Sequence, residues 1–590
     1  MRYTGFRPSV GRAVGSLFAT AALLVSGSAS AQGAPPAQPG GAAPKDAQKA
    51  GDAAAPAGTA AAGASADADA AGSSALAVPD SPPLPPRPGA AGGQAAPPAM
   101  PKVFADEATL AVRTASGEPV AGWHGVFFLR DPDGNFRISP TGFIQLDFQS
   151  FFGDGVDSTP AAVGGAGMPP RFFVRKLRFG LAGDFLKRWS FNATFDISNG
   201  TLSNENGTEE AFAAPAGADP TASSARYRPV QGVDAGLGMR DVWINYALGP
   251  FLNFQVGQTR PPIGQESRTS ETYIPLMDRS LATRGFIVPG GRETGLMLWG
   301  DFGDDVFTYE LMVMGGDGEN RATVDAAPDF AGRFLVKPFG SVKLIKDARI
   351  GVSARHGERD PDSVAYDVTS MTSQQGFAFF QSTYKDSAGR RTHVIPSGGQ
   401  NIIGGELSFP IGPVDIAGEA YYAAYHTREA VDGYQLTNTE RLGTLNGVGL
   451  TTWVTWWALG DARIGGEMGR SKPSKLNLKK KPKFDRGLEI TALVSAILAD
   501  YDGGSRGGAY DDKTPGSAAK PTTAIDLMQF AFAASYWHTK NVRLSLNYAL
   551  YFAPGSGDDN LAVVPGNIVK EPDPEAHLLH ELGTRLQLQF

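Results

Sequence analysis

From Thr141 onward, apolar and polar residues alternate in short runs with a period of two. Phe191, Ala193, Phe195 and Ile197 fall on one face, and Asn192, Thr194 and Asp196 on the other. Val542, Leu544, Leu546, Tyr548 and Leu550 alternate in the same way with Arg543, Ser545 and Asn547. Runs of this kind begin near Phe143, Arg171, Ser190, Met239, Phe251, Arg292, Val306 and Phe330. They resume near Ala348, Asn401, Pro413, Asn446, Arg486, Ile525, Val542 and Leu578, which makes 16 strands with no convincing helix between them. An even count of antiparallel strands, each apolar on one face, predicts an all-β, 16-stranded transmembrane barrel.

The links between strands support that expectation. Tight links at Leu248-Gly249-Pro250, Gly303-Asp304-Asp305, Ile411-Gly412 and His538-Thr539-Lys540-Asn541 alternate with long Gly/Ser/Asp-rich ones. The long ones run over residues 200–238, 258–291, 357–399 and 500–523. Short turns on one rim and long loops on the other are the expected asymmetry of an outer-membrane barrel. The stretch 460–485 breaks the rhythm, and its Lys479, Lys480, Lys481 and Lys483 read as a solvated basic loop in preference to a dedicated anion or partner site. Aromatic residues bunch near strand ends, at Phe148, Phe151 and Phe152, at Trp453, Trp456 and Trp457, and at Tyr548, Tyr551 and Phe552. Such bunching is expected of interfacial girdles.

The final strand, Leu582–Phe590, places Leu582, Leu586, Leu588 and Phe590 on one face and Glu581, Arg585, Gln587 and Gln589 on the other. An amphipathic strand ending in an aromatic residue is expected to close a barrel. In such proteins it also serves as the signal read by the outer-membrane assembly machinery, a role that falls here to Phe590. At the other end, Arg2, Arg7 and Arg12 precede the apolar run Ala13–Val25 and a small-residue site at Ala29-Ser30-Ala31. Residues 1–31 therefore read as a secretory signal, cleaved near Ala31, and place the protein in the outer membrane of a Gram-negative bacterium. Residues 32–101 are Ala/Pro/Gly-rich and read as a disordered tether, either a spacer across the cell wall or a tolerated leader. Residues 102–140 form a short transition with a possible hairpin at Asp133-Gly134-Asn135, and 141–590 the barrel.

Composition narrows the chemistry. The absence of cysteine excludes disulfides, thiolate metal sites and cysteine nucleophiles. A net charge of −7 argues against nucleic-acid binding. The 7 histidines are scattered; His577 and His580, three apart on a strand, point to opposite faces and cannot share a metal. Neither an enzymatic constellation nor a cofactor site is expected.

Three stretches resemble the phosphate-selective porin O/P family. They are Arg175–Leu181 followed by Trp189-Ser190-Phe191; Arg240–Tyr246 running into Val256–Gly264; and Asn541–Tyr548 with the terminal strand. The resemblance implies a homotrimeric, 16-stranded porin with its third outer loop folded into the lumen. That loop, Gln258 to Arg292, carries Arg260, Arg268, Arg279, Arg284 and Arg292 against Glu266, Glu271, Asp278 and Glu293. Guanidinium groups suit anion capture, because their planar donors match oxyanions and stay charged. Two readings of the loop arginines stand side by side: an anion path, or salt bridges that pin the loop to the wall.

Alternation assigns Lys176, Arg178, Arg333, Lys337, Arg349, Arg355, Arg543 and Arg585 to the lumen wall as its basic residues. It assigns Asp147, Asp196, Asp241, Glu310, Glu406, Asp415, Glu419, Glu489 and Glu581 to the same wall as acids. A basic ladder requires Arg333, Lys337, Arg349 and Arg355 to stack on one side. The expected activity is passive diffusion of small hydrophilic solutes, with anions such as phosphate favoured. The alternatives are a porin without anion preference, or a structural protein that tethers envelope layers with its lumen plugged.

Overall fold

The computed structural model describes residues 104–590, apart from 154–169, 198–237, 287–290, 361–365, 386–390, 432–441, 461–485, 508–522, 555–577 and a few shorter gaps. The expected signal and tether, the lysine run at Lys479–Lys483 and His577 lie outside the described residues. Four short strands come first: β1 (Phe104–Asp106), β2 (Thr109–Arg113), β3 (Pro119–Trp123) and β4 (Phe127–Arg130). They pair in sequence as a meander, and β4 turns at Asp131 into β5, with Leu129 opposite Ile138. The Asp131 carboxylate accepts from the Phe136 amide at 2.6 Å and holds that turn.

The barrel begins with β5 (Phe136–Phe152), β6 (Arg171–Phe185), β7 (Trp189–Asp196), β8 (Gly238–Gly249) and β9 (Leu252–Thr259). It continues through β10 (Glu293–Phe302), β11 (Phe307–Met314), β12 (Asp329–Val336) and β13 (Arg349–Gly357). The next link holds three short strands, β14 (Met371–Thr372), β15 (Ala378–Phe380) and β16 (Thr383–Lys385). The wall resumes with β17 (Arg391–Ile411), β18 (Val414–Val431), β19 (Leu442–Leu459) and β20 (Gly487–Gly507). It ends with β21 (Thr523–Thr539), β22 (Val542–Phe552) and β23 (Leu578–Gln589). Each wall strand pairs antiparallel with the next, and β23 pairs back onto β5, so the sheet closes as a 16-stranded barrel. The structure differs from the sequence expectation in several places: β5 starts at Phe136, ahead of Phe143 and of the boundary at 141, β17 starts at Arg391, well before Asn401, and the link before β17 holds short strands rather than plain loop.

Closure joins residues from opposite ends of the barrel. Arg585 grips Asp147 through two contacts of 2.8 Å, and the Gln145 amide donates to Gln587 at 2.8 Å. Phe590 and Gly142 exchange backbone hydrogen bonds of 3.0 and 3.1 Å. A Cβ on residue 142 would meet the backbone carbonyl oxygen of Arg178 at 2.5 Å and the Phe590 ring at 2.8 Å, so the close approach of the neighbouring strand favours glycine there.

The faces of the wall separate as a membrane requires. Val256, Phe330, Val352, Ile403, Leu498, Phe532, Leu544 and Leu546 are exposed on the outside. Gln149, Asp147, Gln529, Ser535, Asn547 and Arg585 are buried inside. The aromatic clusters divide by the same rule. Phe152 and Trp456 point outward, but Phe151, Trp453, Trp457 and Tyr551 point inward, since residues one or three apart on a strand cannot share a face. The expected girdles are therefore only half built from those residues. Leu544→Lys is expected to destabilise the barrel by about 2–4 kcal/mol if it sits near mid-bilayer. Urea unfolding in lipid vesicles checks this; a loss under about 0.5 kcal/mol would mean that Leu544 does not face lipid.

Candidate functional site

The link from β9 to β10 folds into the barrel instead of standing above it. It holds two short helices, α1 (Gln265–Arg268) and α2 (Leu281–Phe286), whose residues are almost all buried. Polar contacts from many wall strands fix it. The Glu419 carboxylate of β18 accepts from the amides of Gln265 and Glu266. Glu266 in turn accepts from the Ser280 amide at 3.0 Å and its hydroxyl at 2.5 Å, which ties α1 to the start of α2. The first amides of α2 donate to Gln529 at 2.8 Å and Ser495 at 3.0 Å. Arg543 reaches the carbonyls of Ile274 and Pro275 at 2.8 Å, and Gln587 that of Thr272 at 3.2 Å. Helix ends and loop carbonyls need such partners once they leave water.

A second link enters as well. Val368, Met371, Phe377, Phe379 and Phe380, between β13 and β17, pack with Leu276, Leu281 and Phe286 against Leu445, Trp453, Ile497, Tyr501, Leu527 and Tyr551. The part of the lumen under β17–β22 is thus filled by an apolar core, and the remaining passage is narrowed from that side. Nothing in the alternation pattern singled out this link, because its apolar residues are too short a run to distinguish from a strand.

The charges around the loop are paired in a definite order. Arg178 meets Asp196 at 2.6 Å and Glu271 at 3.0 Å, and Lys176 also binds Glu271. Arg279 lies 3.5 Å from Glu271, and Arg284 3.0 Å from Asp278. Arg292 meets Asp241 at 3.0 Å and Glu319 at 3.9 Å. Arg268 binds Glu310 at 2.6 Å. Arg333 bridges Glu406 at 2.6 Å and Glu310 at 3.3 Å. Arg543 binds Glu489 at 2.8 Å, and Arg355 binds Asp329 at 2.6 Å. Arg349 opens β13, and Lys337 lies one residue beyond β12, 4.0 Å from Asp305 in the neighbouring short turn. Arg333, Lys337, Arg349 and Arg355 thus share two adjacent strands and their turn, but carboxylates interleave with the arginines. That arrangement is a charge lattice, not a bare basic ladder.

Arg260 is the exception. Its guanidinium donates to backbone carbonyls, of Thr269 and of Ser267 (3.4 Å), and among the described residues no carboxylate oxygen lies within 4.0 Å of it. Burial, then the flanking cations of Arg292 and Arg279, push its pKa well below the ordinary arginine value. An arginine stays charged at neutral pH even so, and such a site is stabilised by any anion that reaches it. Glu271 shows the opposite balance. Burial alone would raise its carboxyl, but Arg178, Lys176 and Arg279 hold it well below the usual range.

Two cations escaped the sequence reading for one physical reason. The β5–β6 register skips from Gln145–Lys176 to Leu146–Val174, so Arg175 is an extra residue in a bulge and turns into the lumen beside Lys176. There it binds Asp278. The β7–β8 register shifts between Ala193 and Phe195, and Arg240 joins Asp241 on the inner side, where it binds Glu319. A bulge re-aims a side chain without leaving a mark in the alternation. With these two included, Arg175, Lys176, Arg178, Arg240, Arg260, Arg279, Arg284 and Arg292 face Asp196, Asp241, Glu271, Asp278 and Glu319 on the β6–β8 side. Toward β11–β18, Arg268 and Arg333 face Glu266, Glu310, Glu406 and Glu419. One side of the loop carries excess positive charge, the other excess negative.

A closed barrel with an apolar outer belt and a charged lumen narrowed by its own loops defines an outer-membrane porin, a channel. Residues 144–453 match the model of the family described as phosphate-selective porin O and P, and the chain belongs to that family. No curated protein matches the chain. Among solved structures it is similar to OmpT, an outer membrane protein of Vibrio cholerae in trimer form, at 10% identity over 77% of this chain and 99% of that one, TM-score 0.39. It is similar to the outer membrane channel DcaP of Acinetobacter baumannii at 12% identity, over 78% and 99%, TM-score 0.39. It is also similar to an anion-selective porin from Comamonas acidovorans at 11% identity, over 77% and 100%, TM-score 0.39. These are likenesses of fold and no more.

Proposed function

We propose that this porin passes small anions, phosphate among them, along the β6–β8 side of the inserted loop. The observation that carries the proposal is Arg260, a buried cation that among the described residues donates to carbonyls and to no carboxylate, within a group where cations outnumber carboxylates. In a narrow passage of low effective dielectric, such an excess acts strongly on a partly dehydrated ion. The paired loop arginines have a different role in this reading: they pin the loop, and Arg260 selects. Association as a homotrimer, export by cleavage near Ala31, and recognition of Phe590 by the assembly machinery belong to the same proposal. Surrounding lipid would then contact only the outer apolar belt.

In planar bilayers under a KCl gradient, the purified protein is expected to give an anion-preferring reversal potential, and millimolar phosphate is expected to reduce chloride current. Cation preference would remove the anion reading, and absence of phosphate block would remove phosphate from it. A second reading, a plugged structural barrel, is favoured by the apolar core that the two loops build under β17–β22. Any stepwise single-channel conductance excludes it.

A further inference from the structure

β6 covers one edge of β5 from Phe136 to Gln149. β23 takes the other edge from Phe143 onward, and β4 takes that same edge at Arg137 and Ile138. The N-terminal meander therefore continues the barrel sheet past the end of β23. It does so on the rim of short turns, which is the periplasmic rim in barrels of this class. Directly paired residues share a face of a sheet, as do residues two apart on one strand. Leu129 stands opposite Ile138 on one side and Ala121 on the other, and Phe127 stands opposite Trp123. One face of β3–β4 thus presents Ala121, Trp123, Phe127 and Leu129, all apolar. That face continues the outer wall, because Ile138 has the parity of Phe136 and Leu146, both exposed outward.

Phe127 and Leu129 are 48% and 54% exposed, whereas Phe128 between them is 3% exposed on the opposite face. The Trp123 and Phe127 rings meet edge to face, with centroids 4.7 Å apart. A contiguous apolar surface of this kind marks contact with something other than water. Its surroundings match the boundary of a bilayer. Phe136 pairs with Phe185, Phe185 stacks on Trp189 at 5.8 Å, and Trp189 meets Tyr246 at 4.7 Å. That outward row lies at the short-turn ends of β5–β8, where an interfacial girdle belongs. Leu129 lies one outward position further into the wall than Phe136, so the apolar face of the meander begins inside that row. Lys187 and Arg188 are exposed in the adjoining turn, which is held to β5 by the Leu186 amide donating to the Asn135 carbonyl at 2.7 Å. Cations beside aromatic residues suit the phosphate level of a lipid leaflet.

We propose that the meander is a lipid anchor: Trp123, Phe127 and Leu129 lie in phospholipid of the periplasmic leaflet and prolong the outer apolar belt beyond the last strand. Continuity with the lipid-facing wall commits this face to lipid, whichever ions the lumen passes. The chain has no cysteine of its own, so a nitroxide can be placed at one site at a time in the full-length protein. Leu544→Cys is the reference for the belt, and Asp133→Cys, exposed in the β4–β5 turn, is the reference for water. In phosphatidylcholine vesicles, labels on Phe127→Cys and Leu129→Cys are expected to collide with oxygen several-fold more often than with a water-soluble nickel chelate, as at Leu544→Cys. Either label carries the test should the other variant fail to insert. A nickel preference matching that of Asp133→Cys overturns the anchor and leaves the face in water. Spectral broadening at these labels that dilution with unlabelled protein removes overturns it in favour of a second copy of the chain.

Discussion

Arg260→Glu is expected to shift the KCl reversal potential toward cation preference by about a tenfold change in permeability ratio. A unit charge about 5 Å from a passing ion, at an effective dielectric of about 20, is worth roughly 3 kcal/mol. Water and salt in the open part of the lumen reduce that to about half, and about 1.4 kcal/mol already equals a factor of ten. The effect is large here because, among the described residues, no carboxylate oxygen lies within 4.0 Å of Arg260; it donates to the carbonyls of Thr269 and Ser267, and Asp241 and Glu271 act on it from farther away. Arg284→Glu is the comparison. Arg284 lies 3.0 Å from Asp278 and 2.5 Å from the Thr372 hydroxyl, so its charge is already answered locally. Arg284→Glu should then disturb the packing of the two inserted links more than the selectivity. Equal shifts from the two variants would show that the whole lattice, and not Arg260, sets the preference. No shift from Arg260→Glu would end the role given to it.

What the sequence made legible follows from how barrels are built. A wall strand must alternate to separate lipid from lumen, so the strands beginning at Arg171, Val542 and Leu578 could be read to the residue. The closing role of the last strand was legible for the same reason. Inward placement of Arg178, Arg333, Arg355, Arg543 and Arg585 also followed from alternation, and all five are buried inside. Their partners did not follow. Arg585 pairs with Asp147 and Arg333 with both Glu310 and Glu406, contacts set by register and closure between strands distant in the chain. Bulges hid Arg175 and Arg240, because one inserted residue inverts the parity of all that precede it. The inward link at Val368–Phe380 was hidden differently. Its residues gain their place only from the apolar patch that β19–β22 present on the lumen side, a tertiary match with no local signature.

Arg333→Met is expected to weaken the barrel by about 3–5 kcal/mol, the usual cost of removing one member of a buried ion pair. Arg333 is almost fully buried between β11 and β17 and holds Glu310 and Glu406 together. Methionine keeps much of the apolar stem but leaves those two carboxylates facing each other, with Glu419 opposite Glu406 in the next strand pair. The loss reaches the inserted loop as well. Glu310 is the partner of Arg268 in α1, and Glu419 caps the amides of Gln265 and Glu266 at its start. Repulsion among the three acids should therefore loosen α1 before the wall opens. Two readouts separate these stages. Heat-dependent mobility on detergent gels should show the barrel unfolding at a lower temperature, and single-channel records below that temperature should show noisier or larger conductance. Adding Glu406→Gln to Arg333→Met removes one of the stranded charges and should recover part of both effects. If the double variant is no better than Arg333→Met, the carboxylates are not the source of the loss, and packing of the arginine stem is.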